Sequence, residues 1–118
     1  MNTKLGFLHP GEMGTSLAAA ALNCLDSVYW CSQGRSSATR ERAKQFGLTE
    51  LSTLQEFCNT CDIIIGVCPP HAAQEQASAV IATGFSGIYV EANAIAPNTA
   101  LQIGNTMQAA GIAFIDGG

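Results

Sequence analysis

The stretch Lys4 to Leu22, KLGFLHPGEMGTSLAAAAL, decides how the whole chain is read. Leu5, Phe7 and Leu8 make a short apolar run suited to a buried parallel strand. From Thr15 the chain continues with Ser16, Leu17 and four alanines, mostly small helix formers. Between them lies the turn His9-Pro10-Gly11-Glu12-Met13-Gly14. A strand, a glycine turn and a helix in this order present backbone N–H groups at a helix N-terminus, an arrangement that binds anions. Gly11 and Gly14 fit the second and third glycines of G-x-G-x-x-G, while His9 stands where the first would be. Pro10 fixes its own φ and removes one donor, which leaves Gly11, Glu12 and Met13 as the amides facing a diphosphate. The Glu12 carboxylate would repel a phosphate placed there, so its side chain is expected to point away. An ordinary strand-to-helix connection with convenient glycines would read the same way, and the rest of the chain has to decide.

Downstream, strand and helix patterns alternate. Val28 to Cys31 reads as the second strand, followed by a helix from about Ser37 to Phe46 that Gly47 ends. Leu48 to Leu51 suits a short third strand. Ser52-Thr-Leu-Gln55 has the S-x-x-Q form of a capping box and opens a short helix reaching about Cys58. Ile63 to Val67 is the most apolar run and lacks polar alternation, as expected for a central strand covered on both faces. Pro69-Pro70 stops it. His71 to Thr83 then carries Ala73, Ala77, Val80 and Ile81 at helical spacing, with Gly84 as terminator. Ile88 to Glu91 is the fifth strand. Pro97 suits a first helical position, Ala100, Ile103, Met107 and Ala110 form one stripe, and Gly111 is the stop. Ala113 to Asp116 gives a sixth strand. The pattern predicts an α/β fold, a doubly wound parallel Rossmann sheet of six strands and five helices in the order 3-2-1-4-5-6, as one domain over residues 1–118.

The composition fits this. In 118 residues, 47% hydrophobic and 12% charged, one globular core can be buried. A net charge of −4 with five Lys plus Arg argues against nucleic acid or an anionic membrane as main partner. No run of roughly 20 predominantly apolar residues, as needed to span a bilayer, is present, and no basic leader precedes the first apolar segment. A cytoplasmic location is expected. Five cysteines, an odd number, predict thiols rather than disulfides. Cys58-Asn-Thr-Cys61 spells C-x-x-C, but without a second pair or a flanking histidine it is expected to hold no metal and to be buried and idle.

The turn after the second strand, Ser32-Gln33-Gly34-Arg35-Ser36, bears on cofactor choice. NAD-binding sheets place an acid there for the ribose hydroxyls, whereas NADP binders offer an Arg for the 2′-phosphate. No acid lies between Asp26 and Glu41. Arg35 can grip a phosphate bidentately, with the Ser32 and Ser36 hydroxyls donating beside it, and Arg40 lies one helical turn further on. NADP(H) is expected rather than NAD. Ligands of such sheets lie beyond the carboxyl ends of the strands, which brings Val67-Cys68-Pro69-Pro70 and Glu91-Ala92-Asn93 to the site. His9 and His71 have no acid–base partner readable from the sequence.

Four segments, in order and over nearly the whole chain, resemble one family. GFLHPGEMG is similar to the GFIGLGxMG opening of the β-hydroxyacid and 6-phosphogluconate dehydrogenase superfamily. Cys68-Pro69-Pro70, YVEANAIAP (89–97) and GIAFIDGG (111–118) are similar to that family's tmLPp, yvDxSTixP and GxxfvDAP segments. The HPGEMG form with the later GRS looks most like a 6-phosphogluconate-dehydrogenase-like branch. The resemblance implies hydride transfer between nicotinamide and a small hydroxy acid, or a related carbonyl or imine. It also implies that Val67 to Pro70 line the path from adenine to nicotinamide and that Asn93, where the family often has Ser-Thr, approaches the nicotinamide. Together these readings place Leu8, His9, Pro10, Gly11, Glu12, Met13, Gly14, Ser32, Arg35, Ser36, Arg40, Val67, Cys68, Pro69, Pro70 and Asn93 around the cofactor. The family's catalytic Lys and Ser-Gly-Gly loop would follow the Asp116 segment, so no catalytic residue is expected within the chain. A helical second domain that usually dimerises would also lie beyond Gly118. The expectation is thus a cofactor domain of a longer, homodimeric enzyme, inactive alone. The alternatives are a stand-alone dinucleotide-binding or regulatory module without activity, and a structural domain that has lost its ligand.

Overall fold

In the computed structural model of the chain, Leu5–Leu8 (β1) lies inside a six-stranded sheet with neighbours on both edges. The structure describes residues 3–8, 28–33, 37–45, 47–66, 72–91 and 97–116. The other strands are Val28–Cys31 (β2), Thr49–Leu51 (β3), Ile63–Gly66 (β4), Ile88–Glu91 (β5) and Ala113–Asp116 (β6). All pairings are parallel and the order is β3-β2-β1-β4-β5-β6, as the sequence pattern predicts. The described helices are Ser37–Gln45 (α1), Leu54–Thr60 (α2), Ala73–Ala82 (α3) and Pro97–Ala109 (α4). The expected first helix, from Thr15, lies outside the described residues.

Side chains alternate across the sheet and build two cores. On one face, Leu5, Phe7, Val28 and Trp30 pack with Ala43 of α1 and Leu48. On the other, Leu8, Cys31, Ile64 and Tyr89 pack with Phe57, Ala77, Val80, Ile103 and Met107 from α2, α3 and α4. Gly6 faces this second group, and a β-carbon there would lie within 2.6 Å of the Phe57 ring and against the Cys61 sulfur. The glycine lets α2 close onto β1. Ile64 of β4 is fully buried, but Ile63 and Ile65 are only half-buried. β4 thus meets both cores, Ile64 wholly inside the larger one and Ile63 and Ile65 packed half-buried against the smaller.

Helix ends follow from left-handed glycines. Gly47 (φ 76°) donates to the Lys44 carbonyl while Leu48 N–H donates to that of Ala43, a Schellman closure, and Gly111 (φ 81°) ends α4 the same way through Gln108 and Met107. Gly84 (φ 82°) follows α3. Ala110 falls in the turn beyond α4 and is exposed, so it does not extend the Ala100, Ile103, Met107 stripe.

The start of α2 corrects the sequence reading. The cap is Thr53, not Ser52: its hydroxyl accepts the Glu56 N–H at 3.2 Å, so the box is Thr53-x-x-Glu56 and the helix runs to Thr60. The two readings differ by one residue, which sequence spacing alone does not separate. Thr53→Ala should cost about 1 kcal/mol in a urea titration, and Ser52→Ala close to nothing. The reverse order would return the cap to Ser52.

The C-x-x-C pair sits at the end of α2, and Cys58 and Cys61 are both buried. Burial pushes the Cys61 thiol up to about 12, with the neighbouring Cys58 and Asp62 adding to it, and burial raises Cys58 as well. A thiol whose folded pKa exceeds its unfolded value of 9.0 favours the fold fully below about pH 9. That contribution is lost as pH rises toward 12, because the unfolded chain ionises first. At pH 8, iodoacetamide followed by mass spectrometry should leave Cys61 unmodified in the folded protein and modify it in urea. Rapid labelling of the folded form would contradict its burial.

Candidate functional site

The connections out of β1 and β4 diverge at the carboxyl edge of the sheet. These strands pair from Leu5 with Ile63 to Leu8 with Gly66. The chain then runs from Leu8 toward β2 on one side, and from Gly66 through α3 to β5 on the other. Such a reversal leaves a crevice above the strand ends, where open α/β sheets hold ligands. The same edge carries the ends of β2 (Cys31) and β5 (Glu91), the latter in register with Gly66. Every predicted cofactor segment except Arg40 therefore includes or follows the last residue of one of these four strands.

Of the predicted residues, Leu8, Ser32 and Arg40 are described. His9 to Gly14, Arg35, Ser36, Val67 to Pro70 and Asn93 lie outside the described residues, as does His71. Leu8 is buried at the end of β1. Ser32 is buried just beyond β2, where its N–H donates to the Leu51 carbonyl at 2.9 Å and its hydroxyl reaches the same oxygen at 3.5 Å. This ties the start of the 32–36 turn to β3. Gln33 ties the turn to α2, its Oε1 accepting the Leu54 N–H at 2.7 Å. Arg40, on α1, pairs through Nε with Glu50 of β3 at 3.5 Å, both side chains being substantially exposed.

The pattern reading named Gln33 and Glu91 only as members of their segments, and it missed Glu50, Gln76 and the burial that Gln76 and Glu91 share. Gln76 of α3 and Glu91 of β5 are both buried, and the Tyr89 hydroxyl donates to Gln76 Oε1 at 3.1 Å. Gln76 occupies the i+3 position of the Ala73, Ala77, Val80 stripe, and Glu91 shares a strand face with Tyr89. Helical and strand periodicity were thus the available signals, masked by residue polarity. Among the described residues no group of three or more His, Cys, Asp or Glu is placed to hold a metal ion. No helix among them is long and apolar enough to cross a membrane.

An uncharacterized 28.5 kDa protein of Methanothermus fervidus is 28% identical over 96 residues, covering 81% of this chain and 38% of that protein. Solved structures of similar fold include 3-hydroxyisobutyrate dehydrogenase of Mycobacterium tuberculosis, with TM-score 0.86 and 18% identity over 98% of this chain and 40% of that one. Another is an imine reductase of Myxococcus stipitatus in complex with NADP+, with TM-score 0.82 and 20% identity over 96% of this chain and 39% of that one. At these identities the two structures speak for the fold alone. The chain spans about two-fifths of the length of each of these proteins. The model of the NAD binding domain of 6-phosphogluconate dehydrogenase matches residues 4–118, and the chain belongs to that family.

Proposed function

We propose that the chain is the NADP(H)-binding domain of an oxidoreductase that moves hydride between nicotinamide and a small hydroxy acid, or a related carbonyl or imine. The observation that carries the cofactor choice is the turn Ser32 to Ser36, which begins at the carboxyl end of β2 and holds Arg35 but no carboxylate. Family membership supports a nicotinamide dinucleotide, and the bound coenzyme would supply the hydride chemistry. This chain's part is to bind and orient. The amides of Gly11, Glu12 and Met13 take the diphosphate at the start of a helix, where N–H groups and the helix dipole favour an anion. Arg35 takes the 2′-phosphate through paired, charge-assisted hydrogen bonds. Arg40 contributes less, since its guanidinium is shared with Glu50. Ser32 would have to turn its hydroxyl from the Leu51 carbonyl to assist. The names of the fold neighbours, a hydroxyacid dehydrogenase and an imine reductase, support the substrate range.

Calorimetric titration with NADPH and NADH tests this. NADPH should bind more tightly, and Arg35→Ala should weaken NADPH about tenfold or more while leaving NADH nearly unchanged, with Arg40→Ala giving a smaller loss. Equal affinity of the unaltered chain for the two coenzymes would rule the reading out.

A further inference from the structure

We infer that the free edge of β6 is an interaction surface for a second copy of this chain, two β6 strands pairing antiparallel about a two-fold axis. Among the described residues, the large apolar side chains left exposed are Leu101 at 65% and Ile115 at 51%. Both flank this edge. β6 is last in the sheet order and pairs with β5 alone. On the face of the larger core, α4 lies over β6, and a β-carbon at Gly104 would come within 3.1 Å of the Phe114 ring. One flank of α4 faces α3, Gln102 accepting from Gln74 at 2.7 Å. With about 100° per residue, Leu101 lies on the other flank, beside Gly104 and turned away from α3, so it overhangs the edge of β6. On the opposite sheet face, Ile115 ends a row with Ile65 and Val90, in register across β4, β5 and β6. The row is half-buried at Ile65 and Val90 and opens to solvent at Ile115.

The backbone says what such an edge takes. Ala113 N–H donates to the Gly87 carbonyl at 3.1 Å, so by strand alternation the N–H and C=O of Phe114 point outward. An open edge is a template for another strand, and native sheets blunt it with short length, charge or proline. β3, at the far edge, is blunted: it has three residues, and its Glu50 is exposed and paired with Arg40. β6 offers Ala113, Phe114 and Ile115 instead. Charge selects a second copy. Each chain carries −4, yet no Asp, Glu, Lys, Arg or His lies between Glu91 and Asp116, so α4 and most of β6 meet themselves without like-charge contact. A two-fold axis perpendicular to the sheet at Phe114 keeps equivalent faces together. The two Phe114 residues then exchange both backbone bonds, and Ile115 comes opposite Ala113 of the other copy, which continues its apolar row. The two Leu101 side chains face each other across the junction. This edge lies within the chain, apart from the helical domain that the family resemblance assigns to dimerisation.

Sedimentation equilibrium of the 118-residue chain should show a species of twice its 12.3 kDa. In that species the outward Phe114 amide should be protected from hydrogen exchange. Leu101→Lys and Ile115→Lys each put a charge on the edge and should raise the dimer dissociation constant about tenfold or more, with circular dichroism unchanged and the Phe114 amide exchanging faster. Ser78→Lys, in the groove between α3 and α4, should leave the dimer intact. If Ile115→Lys does not fold, Leu101→Lys, at an exposed helix position, carries the test. An unaltered chain that stays monomeric up to about 1 mM overturns the inference and leaves the edge to a strand from elsewhere. A dimer indifferent to both lysines, or an open polymer in place of a dimer, overturns it as well.

Discussion

The pairing of β1 with β4 is the constraint on which the rest depends. These strands begin beside each other because Lys4 and Asp62 lock them at the amino end. Asp62 N–H donates to the Lys4 carbonyl at 2.8 Å, and Lys4 N–H returns a bond to Asp62 Oδ2 at 2.9 Å. The Asp62 carbonyl also accepts Ile88 N–H at 3.1 Å, which carries the register on to β5. With a side-chain period of two, a slip of one residue would put Phe7 where Gly6 stands and turn an aromatic ring into α2. Four residues later the pair ends at Leu8 and Gly66, and the divergence of the two chains there makes the crevice.

Both strands carry a glycine on the face of the larger core, and each lets one element approach. Gly6 accepts Phe57 of α2 and Cys61 just after it, whereas Gly66 accepts the Tyr89 hydroxyl and the Gln76 amide. Adding even a methyl group at such a contact costs about 1–3 kcal/mol, because a packed interior yields little. The opposite face is covered less evenly. Beyond β1 it presents Ile63, Ile65, Ile88 and Val90 half-buried and Ile115 at 51% exposure.

The strand order was legible because turn residues and apolar runs alternate along the chain, a pattern that belongs to a doubly wound sheet of known order. The stops at Gly47, Gly84 and Gly111 were legible too, since a left-handed residue ending a helix strongly favours glycine. What misled was information one residue wide or carried across space. Ser52 and Thr53 both fit a capping box, and only the backbone angles choose between them. Gln76 broke an alanine stripe by polarity although its spacing put it inside, and its reason, the Tyr89 hydroxyl, lies 13 residues away on another element. Glu50 is ten positions from Arg40 and meets it only once β3 lies beside α1. The glycine turn and Arg35 are motif readings on residues outside the described ones, and the structure supplies only the strand ends that precede them.

On the proposed reading, the two ends of the coenzyme meet different physical environments. The end recognised beyond β2 borders exposed groups such as the Arg40–Glu50 pair, where Coulomb interactions are weak and screened by salt. Ionic strength therefore bears mainly on the discrimination between NADPH and NADH. The end beyond β4 and β5 stands over Tyr89, Gln76 and Glu91, buried groups whose hydrogen bonds act in a lower dielectric and change little with salt. A hydride donor needs its reacting carbon held within a fraction of an ångström, whereas a phosphate tag needs only to be gripped. On that reading the buried Tyr89–Gln76 pair belongs to the end where positional precision matters, and the exposed Arg40–Glu50 pair to the end where selection between coenzymes is enough.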